Sequence, residues 1–201
     1  MNKDSSTSAM EPSMPDLRQL LAARLMQGGG RLSGNPLSSA QQRLWFLDQL
    51  EPNSPIYNIP SVGRLKGRLD LDALRNAINV IAKRHEALRT RFSNEDGEPC
   101  QVVDEGEIGI GMEDLSGISE PEREQVINRK VQEEIRRPFS LSTEQLIRIN
   151  LLRLAPEDHV LIINIHHIIS DEWSLKIFFK EFIELYTGYV EGRNVSLPDL
   201  P

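Results

Sequence analysis

Cysteine is almost absent from this chain. Cys100 is the single one in 201 residues, so no disulfide can form within the chain, and a reducing, cytoplasmic setting is the expectation. No apolar run is long enough to cross a bilayer. The opening residues, MNKDSSTSAMEPSMPD, lack the apolar stretch of a secretory signal, which argues against export. Positive charge is also scarce: 23 Lys and Arg stand against 30 Asp and Glu, a net charge of −7. That excludes a general nucleic-acid binder, because neutralising phosphates needs a basic surface. Arg129, Lys130, Arg136 and Arg137 remain as a local basic group for an acidic protein partner, although a solvated helix face is the plainer reading. Cysteines and histidines at metal-ligand spacing are missing too, so no metal is expected.

What is present is the composition of a globular domain with a sizeable core, 39% hydrophobic and 26% charged. Residues 1–14 are polar and read as a disordered tail. Residues 15–35 read as a lead-in helix, with Leu17, Leu20, Leu21 and Leu25 on one side, followed by a glycine-rich linker. Ser39 followed by Gln42 has the capping-box spacing for a helix to Leu50, supported by Leu44, Trp45, Leu47 and Leu50. Asn53, Ser54 and Pro55 break it, and a strand follows over 58–66. Asp70 or Asp72 caps a helix over about 72–87, whose Leu74, Ala77, Ile78, Ile81, His85 and Leu88 recur at core-face spacing. Strands are expected at 88–93 and 100–103 around the turn Asn94-Glu95-Asp96-Gly97, with another near 108–112. A charged helix over 119–136 carries Ile127, Val131 and Ile135 and stops at Pro138. The runs 145–154 and 159–165 form a hairpin, and the almost continuously apolar VLIINI asks for cover on both faces. The last helix, 173–190, presents Leu175, Phe178, Phe179, Phe182, Tyr186 and Tyr189 as a buried stripe. No repeat is visible. The fold class is α+β, with helices packed on a largely antiparallel or mixed sheet.

The stretch that can carry chemistry is Asn164-Ile165-His166-His167-Ile168-Ile169-Ser170-Asp171-Glu172-Trp173-Ser174, where a buried strand ends and an amphipathic helix begins. Adjacent strand residues point to opposite faces, so His166 and His167 cannot share a site while the strand lasts. One should be buried and structural; the other can face a cleft as a general base, since an imidazole titrates near neutrality. Two core histidines are an equally good reading of spacing alone. Asp171 either orients the histidine, pairs with an arginine, or caps the next helix through the backbone of Ser174. The cap is the favoured reading. Cys100 has no activating base and reads as packing; Trp45 and Trp173 read as core anchors.

HHIISDEWS resembles the HHxxxDGWS signature of nonribosomal peptide synthetase condensation domains. SSAQQRLWFL (38–47) resembles that family's first motif, SxAQxRLWxL, and RHEALRTRF (84–92) its second, RHExLRTxF; the flanks DQLEP and YNIP agree. The resemblance implies a chloramphenicol acetyltransferase-like fold, two similar lobes in a V with the histidine motif in a tunnel between them. Residues 36–191 would be the N-terminal lobe and residues 192–201 a linker toward a C-terminal lobe. The implied reaction is amide formation between a carrier-bound acyl or peptidyl thioester and an aminoacyl amine. Such chemistry belongs to antibiotic and other secondary-metabolite biosynthesis. No cofactor would be bound directly, because the substrates ride on phosphopantetheine arms. Implied partners are donor and acceptor peptidyl carrier proteins (or an acyl carrier protein), the C-terminal lobe and the adjoining synthetase domains. By position His167 matches the catalytic histidine, taking the amine proton or holding the amine and the tetrahedral intermediate. His166, Ser174 and Asp171 support it, the aspartate commonly paired with an arginine; Arg89 is the first choice here and Arg84 the second.

Two departures qualify the resemblance. Glu172 stands where the family usually has glycine, which suits a helix's first turn and makes it a candidate for tuning the donor channel. The family domain is also about twice this length, so this lobe alone is expected to be inactive. The alternative is a non-catalytic piece that binds a carrier protein or a partner lobe; a third reading is a two-lobed acyltransferase using coenzyme A thioesters. The motifs lean toward domains joining an L-donor to an L-acceptor, or toward hybrids taking a polyketide donor, and away from heterocyclisation and epimerisation.

Overall fold

A computed structural model describes residues 35–95 and 98–200. The expected tail, lead-in helix and most of the glycine-rich linker fall outside the described residues, as do Asp96 and Gly97 of the expected turn. The elements run β1 (Asn35–Pro36), α1 (Ser39–Leu50), β2 (Asn58–Lys66), α2 (Leu71–Arg84), a 3-10 turn (Glu86–Arg89), β3 (Thr90–Glu95), β4 (Glu98–Val103), β5 (Ile110–Asp114), α3 (Glu120–Arg136), β6 (Ile147–Ala155), β7 (Asp158–His166) and α4 (Glu172–Val190).

The apolar hairpin is the centre of a four-stranded sheet ordered β2-β7-β6-β5. β7 pairs antiparallel with β2 along its full length, from Asn58 opposite His166 to Lys66 opposite Asp158. It is antiparallel to β6 on its other side, while β5 joins β6 in parallel, so the sheet is mixed. A second, antiparallel sheet is ordered β1-β4-β3. Every residue of β7 after Asp158 is buried, as its unbroken apolar run requires. Leu161, Ile163 and Ile165 join Ile147, Ile149 and Leu151 of β6 in one core with Leu74, Ala77, Ile78 and Ile81 of α2 and Phe178, Phe182 and Leu185 of α4. Val160 and Ile162 point the other way, into a smaller core with Leu152, Leu154, Leu115 and Ile127 of α3. Cover on both faces follows.

Local signals set the helix ends, with some shifts from expectation. The capping box of α1 is one residue earlier than read: the Ser38 hydroxyl accepts from the Gln41 amide, and the Gln41 side chain accepts from the Ser38 N–H. Asp70, not Asp72, caps α2 through the amides of Asp72 and Ala73. α2 stops at Arg84 rather than 87, because His85 turns extended (φ −108°, ψ 96°); Leu88 still reaches the core through the 3-10 turn. Asn53 takes a left-handed φ of 65° after α1, a conformation asparagine tolerates better than most residues. Two aromatics expected in the core are not there. Trp173 is 72% exposed and Tyr189 37% exposed; Trp173 sits in the first turn of α4, before the helix reaches the core. Leu47 and Leu50 of α1 are also exposed, and no residue of that helix is fully buried.

Beyond α4 the chain turns back. The Arg193 amide donates to the Gly188 carbonyl, and Val195 lies so close that a Cβ on Gly188 would meet its Cγ2 at 1.9 Å. Val195 and Leu197 pack on the larger core, and Arg84 donates to the Pro198 carbonyl. The first part of the expected linker is thus anchored to α2 and α4.

Candidate functional site

The site begins where β7 runs out. His166 is the last strand residue and faces the α3 side of the sheet, 1% exposed. The Phe139 ring meets it edge-on with centroids 6.0 Å apart, and Tyr57 lies at 6.1 Å. Its Nδ1 accepts from the Ile168 N–H at 3.1 Å, so in the neutral ring the hydrogen sits on Nε2. Burial, with His167 and Arg148 nearby, pushes its pKa down to about 4. His166 is therefore a neutral, structural residue.

His167 follows in the turn and is exposed. Its backbone N–H is fixed by the Tyr57 carbonyl at 2.8 Å. Its ring Nδ1 lies 2.8 Å from the Ser170 carbonyl oxygen, which can only accept, so Nδ1 carries the hydrogen and Nε2 is the free acceptor of the neutral ring. The division expected from strand geometry holds: one imidazole sealed, the other presented to solvent. Gln41, at the start of α1, reaches the same turn by donating to the Ile168 carbonyl at 3.4 Å.

Asp171 caps α4. Its Oδ1 accepts from the Ser174 amide at 2.8 Å and the Ser174 hydroxyl at 2.7 Å. These two donors hold the carboxyl below the usual carboxylate range. The arginine pairing expected for it is not formed. Arg89 donates to the Ala82 and Asp104 carbonyls, tying the 3-10 turn to the end of β4. Arg84 pairs with Glu181 of α4 at 3.2 Å, and His85 Nε2 lies 2.7 Å from the other oxygen of that carboxylate. Both arginines are occupied in bracing α2, and the cap satisfies Asp171 without them. Glu172 is exposed and pairs with Lys176 at 2.7 Å, one turn on. Of the basic residues on α3, Arg129 pairs with Glu133 and Lys130 with Glu113.

One group behind the site escaped sequence reading. Glu134 and Arg148, each with a side chain 10% exposed, pair at 2.6 Å. Arg148 also donates to the carbonyls of Arg137 and Pro138, and its guanidinium carbon sits over the Phe139 ring, 3.6 Å from its centroid. Asn58 takes the carbonyls of Ile135 and Arg137, and Asn164 that of Glu134. The C-terminal end of α3 is thereby clamped against the strand ends that flank His166. The only sequence hint was the apolar spacing of Ile127, Val131 and Ile135, which puts Glu134 beside a buried stripe.

Cavities of about 630 Å3, between α2, residues 105–107 and Tyr189, and about 370 Å3, between α3 and β5, are not lined by His167. Among the described residues no cluster of His, Cys, Asp or Glu is suited to a metal, and no helix is long and apolar enough to cross a membrane. Two exposed apolar residues flank the turn in sequence: Ile56, 71% exposed, precedes Tyr57, whose carbonyl holds the His167 N–H, and Trp173, 72% exposed, follows Asp171 by two residues.

A family model described as Condensation domain matches residues 33–201. A linear gramicidin synthase of Brevibacillus parabrevis is 43% identical over 167 residues, which is 83% of this chain and 2% of that protein. Surfactin synthase subunit 2 of Bacillus subtilis (strain 168) is 38% identical over 185 residues, 87% of this chain and 5% of that protein. Among solved structures, the first condensation domain of the calcium-dependent antibiotic synthetase, in complex with a substrate analogue, superposes with a TM-score of 0.71 at 27% identity, covering 81% of this chain and 39% of that one. The starter condensation domain of rhizomide synthetase RzmA gives a TM-score of 0.76 at 22% identity, covering 85% and 41%. The chain thus spans about two-fifths of these solved chains and a small fraction of the curated relatives.

Proposed function

Because this chain belongs to the condensation-domain family, we propose that it supplies the histidine-bearing part of an amide-forming acyltransferase site. The observation that carries this reading is His167, exposed, with Nδ1 committed to the Ser170 carbonyl and Nε2 left free. A ring held that way can accept a proton from an attacking amine, or hold that amine against a thioester carbonyl, without first reorienting. His166 sets the turn from below and Asp171 with Ser174 sets it from the helix side. Arg89 and Arg84 act at a distance, by fixing α2, and Glu172 stands at the mouth as a residue that tunes access.

In this reading the donor thioester and the acceptor amine arrive on the phosphopantetheine arms of carrier proteins, in the cytoplasm, and the remainder of the domain closes over Ile56 and Trp173. The chain's coverage of about two-fifths of the solved condensation domains supports an inactive lobe when it stands alone. The deciding experiment follows amide formation by the complete domain from loaded donor and acceptor carriers. His167→Ala abolishes product while the protein stays folded; full activity in that variant overturns the assignment. Turnover with coenzyme A thioesters and no carrier would point instead to a different donor class.

A further inference from the structure

The last turn of α1 is built against its own electrostatics. A helix C-terminus exposes unpaired carbonyls and a partial negative charge, which favour basic side chains nearby. α1 has no basic residue in its last turn, and its C-cap is Glu51. Asp48 stands in that turn, half-buried. Its side-chain hydrogen bond comes from the neutral Gln49 amide at 3.3 Å, and among the described residues no Lys, Arg or His pairs with it. Burial without a cation holds its carboxyl above the usual range.

A cavity of about 200 Å3 opens there, lined by Trp45, Asp48, Pro52, Phe92, Asn94 and Phe139 among others. Two arginines that touch its lining are already neutralised: Arg91, on the Ser142 carbonyl, by Asp104, and Arg148, on the Phe139 ring, by Glu134. Aromatic walls, one unneutralised carboxylate and a helix C-terminus favour a positive group with an apolar stem. We propose that this cavity binds a single basic side chain, arginine before lysine, presented by a polypeptide partner. The volume falls below the ~300–1,000 Å3 typical of pockets that enclose whole ligands, so it receives the end of a chain rather than a free substrate. A guanidinium matches a carboxylate in two parallel hydrogen bonds and stacks on aromatic faces, which an ammonium does not. Its lining includes neither His166 nor His167, so the site is separate from the proposed acyl-transfer chemistry.

The test uses the full chain, 15N-labelled, with the Trp45 indole resonance assigned through Trp173→Phe. Nα-acetyl-arginine methylamide should shift that resonance saturably, and the isosteric uncharged citrulline analogue should bind at least about tenfold more weakly. Asp48→Asn should weaken the arginine probe by about tenfold, and free guanidinium ion should bind less tightly than the probe. On the unsubstituted chain, the probe should also move the Asp48 carboxyl titration to lower pH, a readout that stays decisive if Asp48→Asn fails to fold. Equal responses to arginine and citrulline, an unmoved Asp48 titration, or guanidinium binding as tightly as the arginine probe would each overturn the proposal.

Discussion

Replacing Asp171 by alanine and by asparagine separates a helix cap from an ion pair. In the structure its Oδ1 takes both the amide and the hydroxyl of Ser174, at 2.8 and 2.7 Å, and neither Arg84 nor Arg89 is spent on it. Losing an N-cap side chain costs about 1 kcal/mol, within a range of about 0.5–2. For a chain of this size, 1 kcal/mol moves the thermal midpoint by about 2–4 °C. Asparagine caps about as well as aspartate, so Asp171→Asn should stay within about 1 °C of the parent at moderate salt, where the charge–helix attraction is damped. An arginine ion pair would make the two substitutions fall together, since both remove the charge. The carboxyl lies low in the folded state, so its contribution is complete above the unfolded value near 4 and fades as pH falls through the folded value. The asparagine variant should lack that component. Thermal scans by circular dichroism, with a double-mutant cycle against Arg89→Gln, give the answer. Equal losses for alanine and asparagine, or a coupling above about 0.5 kcal/mol to Arg89, would refute the cap.

The other predictions concern the exposed ring, the buried ring, and the clamp behind them. His167→Ala should cost about 10²–10⁴-fold in amide formation by the complete domain, yet cost this chain no more than about 1 kcal/mol of stability, because the exposed ring gives up one hydrogen bond to the Ser170 carbonyl. His166, with a folded pKa of about 4 against about 6.5 unfolded, binds its proton only in the unfolded chain between those values. Stability should therefore fall by about 3 kcal/mol as pH drops from about 6.5 to about 4; urea midpoints that stay flat across that window, or fall equally in His166→Asn, contradict the burial argument. Arg148→Met leaves the Glu134 carboxylate buried without a cation, held by the Asn150 amide at 3.2 Å alone, at a cost of about 3 kcal/mol by urea denaturation. Adding Glu134→Leu should restore part of that loss, and a double variant no better than the single one would deny the pairing its weight.

The fold was legible wherever one residue's neighbours decide its state. β7 announced itself through VLIINI, and the core faces of α2 and α4 through helical spacing. Periodicity failed at the ends of that spacing. Trp173 and Tyr189 sit at the first and last turns of α4, where a helix leaves its partner, and both are exposed. The capping box was misplaced by one residue because Ser38 and Ser39 each have a glutamine three positions on, and only backbone conformation separates them. The split between His166 and His167 followed from strand alternation, but which arginine meets which acceptor did not, since the Arg89 partners lie seven and fifteen residues away through a turn. Glu134 and Arg148 leave no signal for the same reason: a buried ion pair between a helix and a strand fourteen residues on has no local pattern.

Under the proposed acyl-transfer reading, the orientation of the histidine and its enclosure are separate requirements. Across the turn, Nδ1 of one histidine accepts from the Ile168 amide while Nδ1 of the next donates to the Ser170 carbonyl. The adjacent rings therefore hold opposite tautomers in their neutral forms, and each stiffens the segment that carries the other. The Asp171 cap closes the segment two residues before Trp173. These bonds lie within residues 166–174, and with the Tyr57 carbonyl on the His167 N–H they set the direction of the His167 Nε2 lone pair from this chain's own residues. Exclusion of water is different. His167, Ile56 and Trp173 are open to solvent, and a proton-transfer group gains most of its electrostatic leverage only when its surroundings are dry. If the complete domain uses this ring as proposed, substitutions within residues 166–174 should lower its turnover even where enclosure is intact, and Ile56→Ser or Trp173→Ser should leave the turn's hydrogen bonds, read by His167 ring chemical shifts, unchanged.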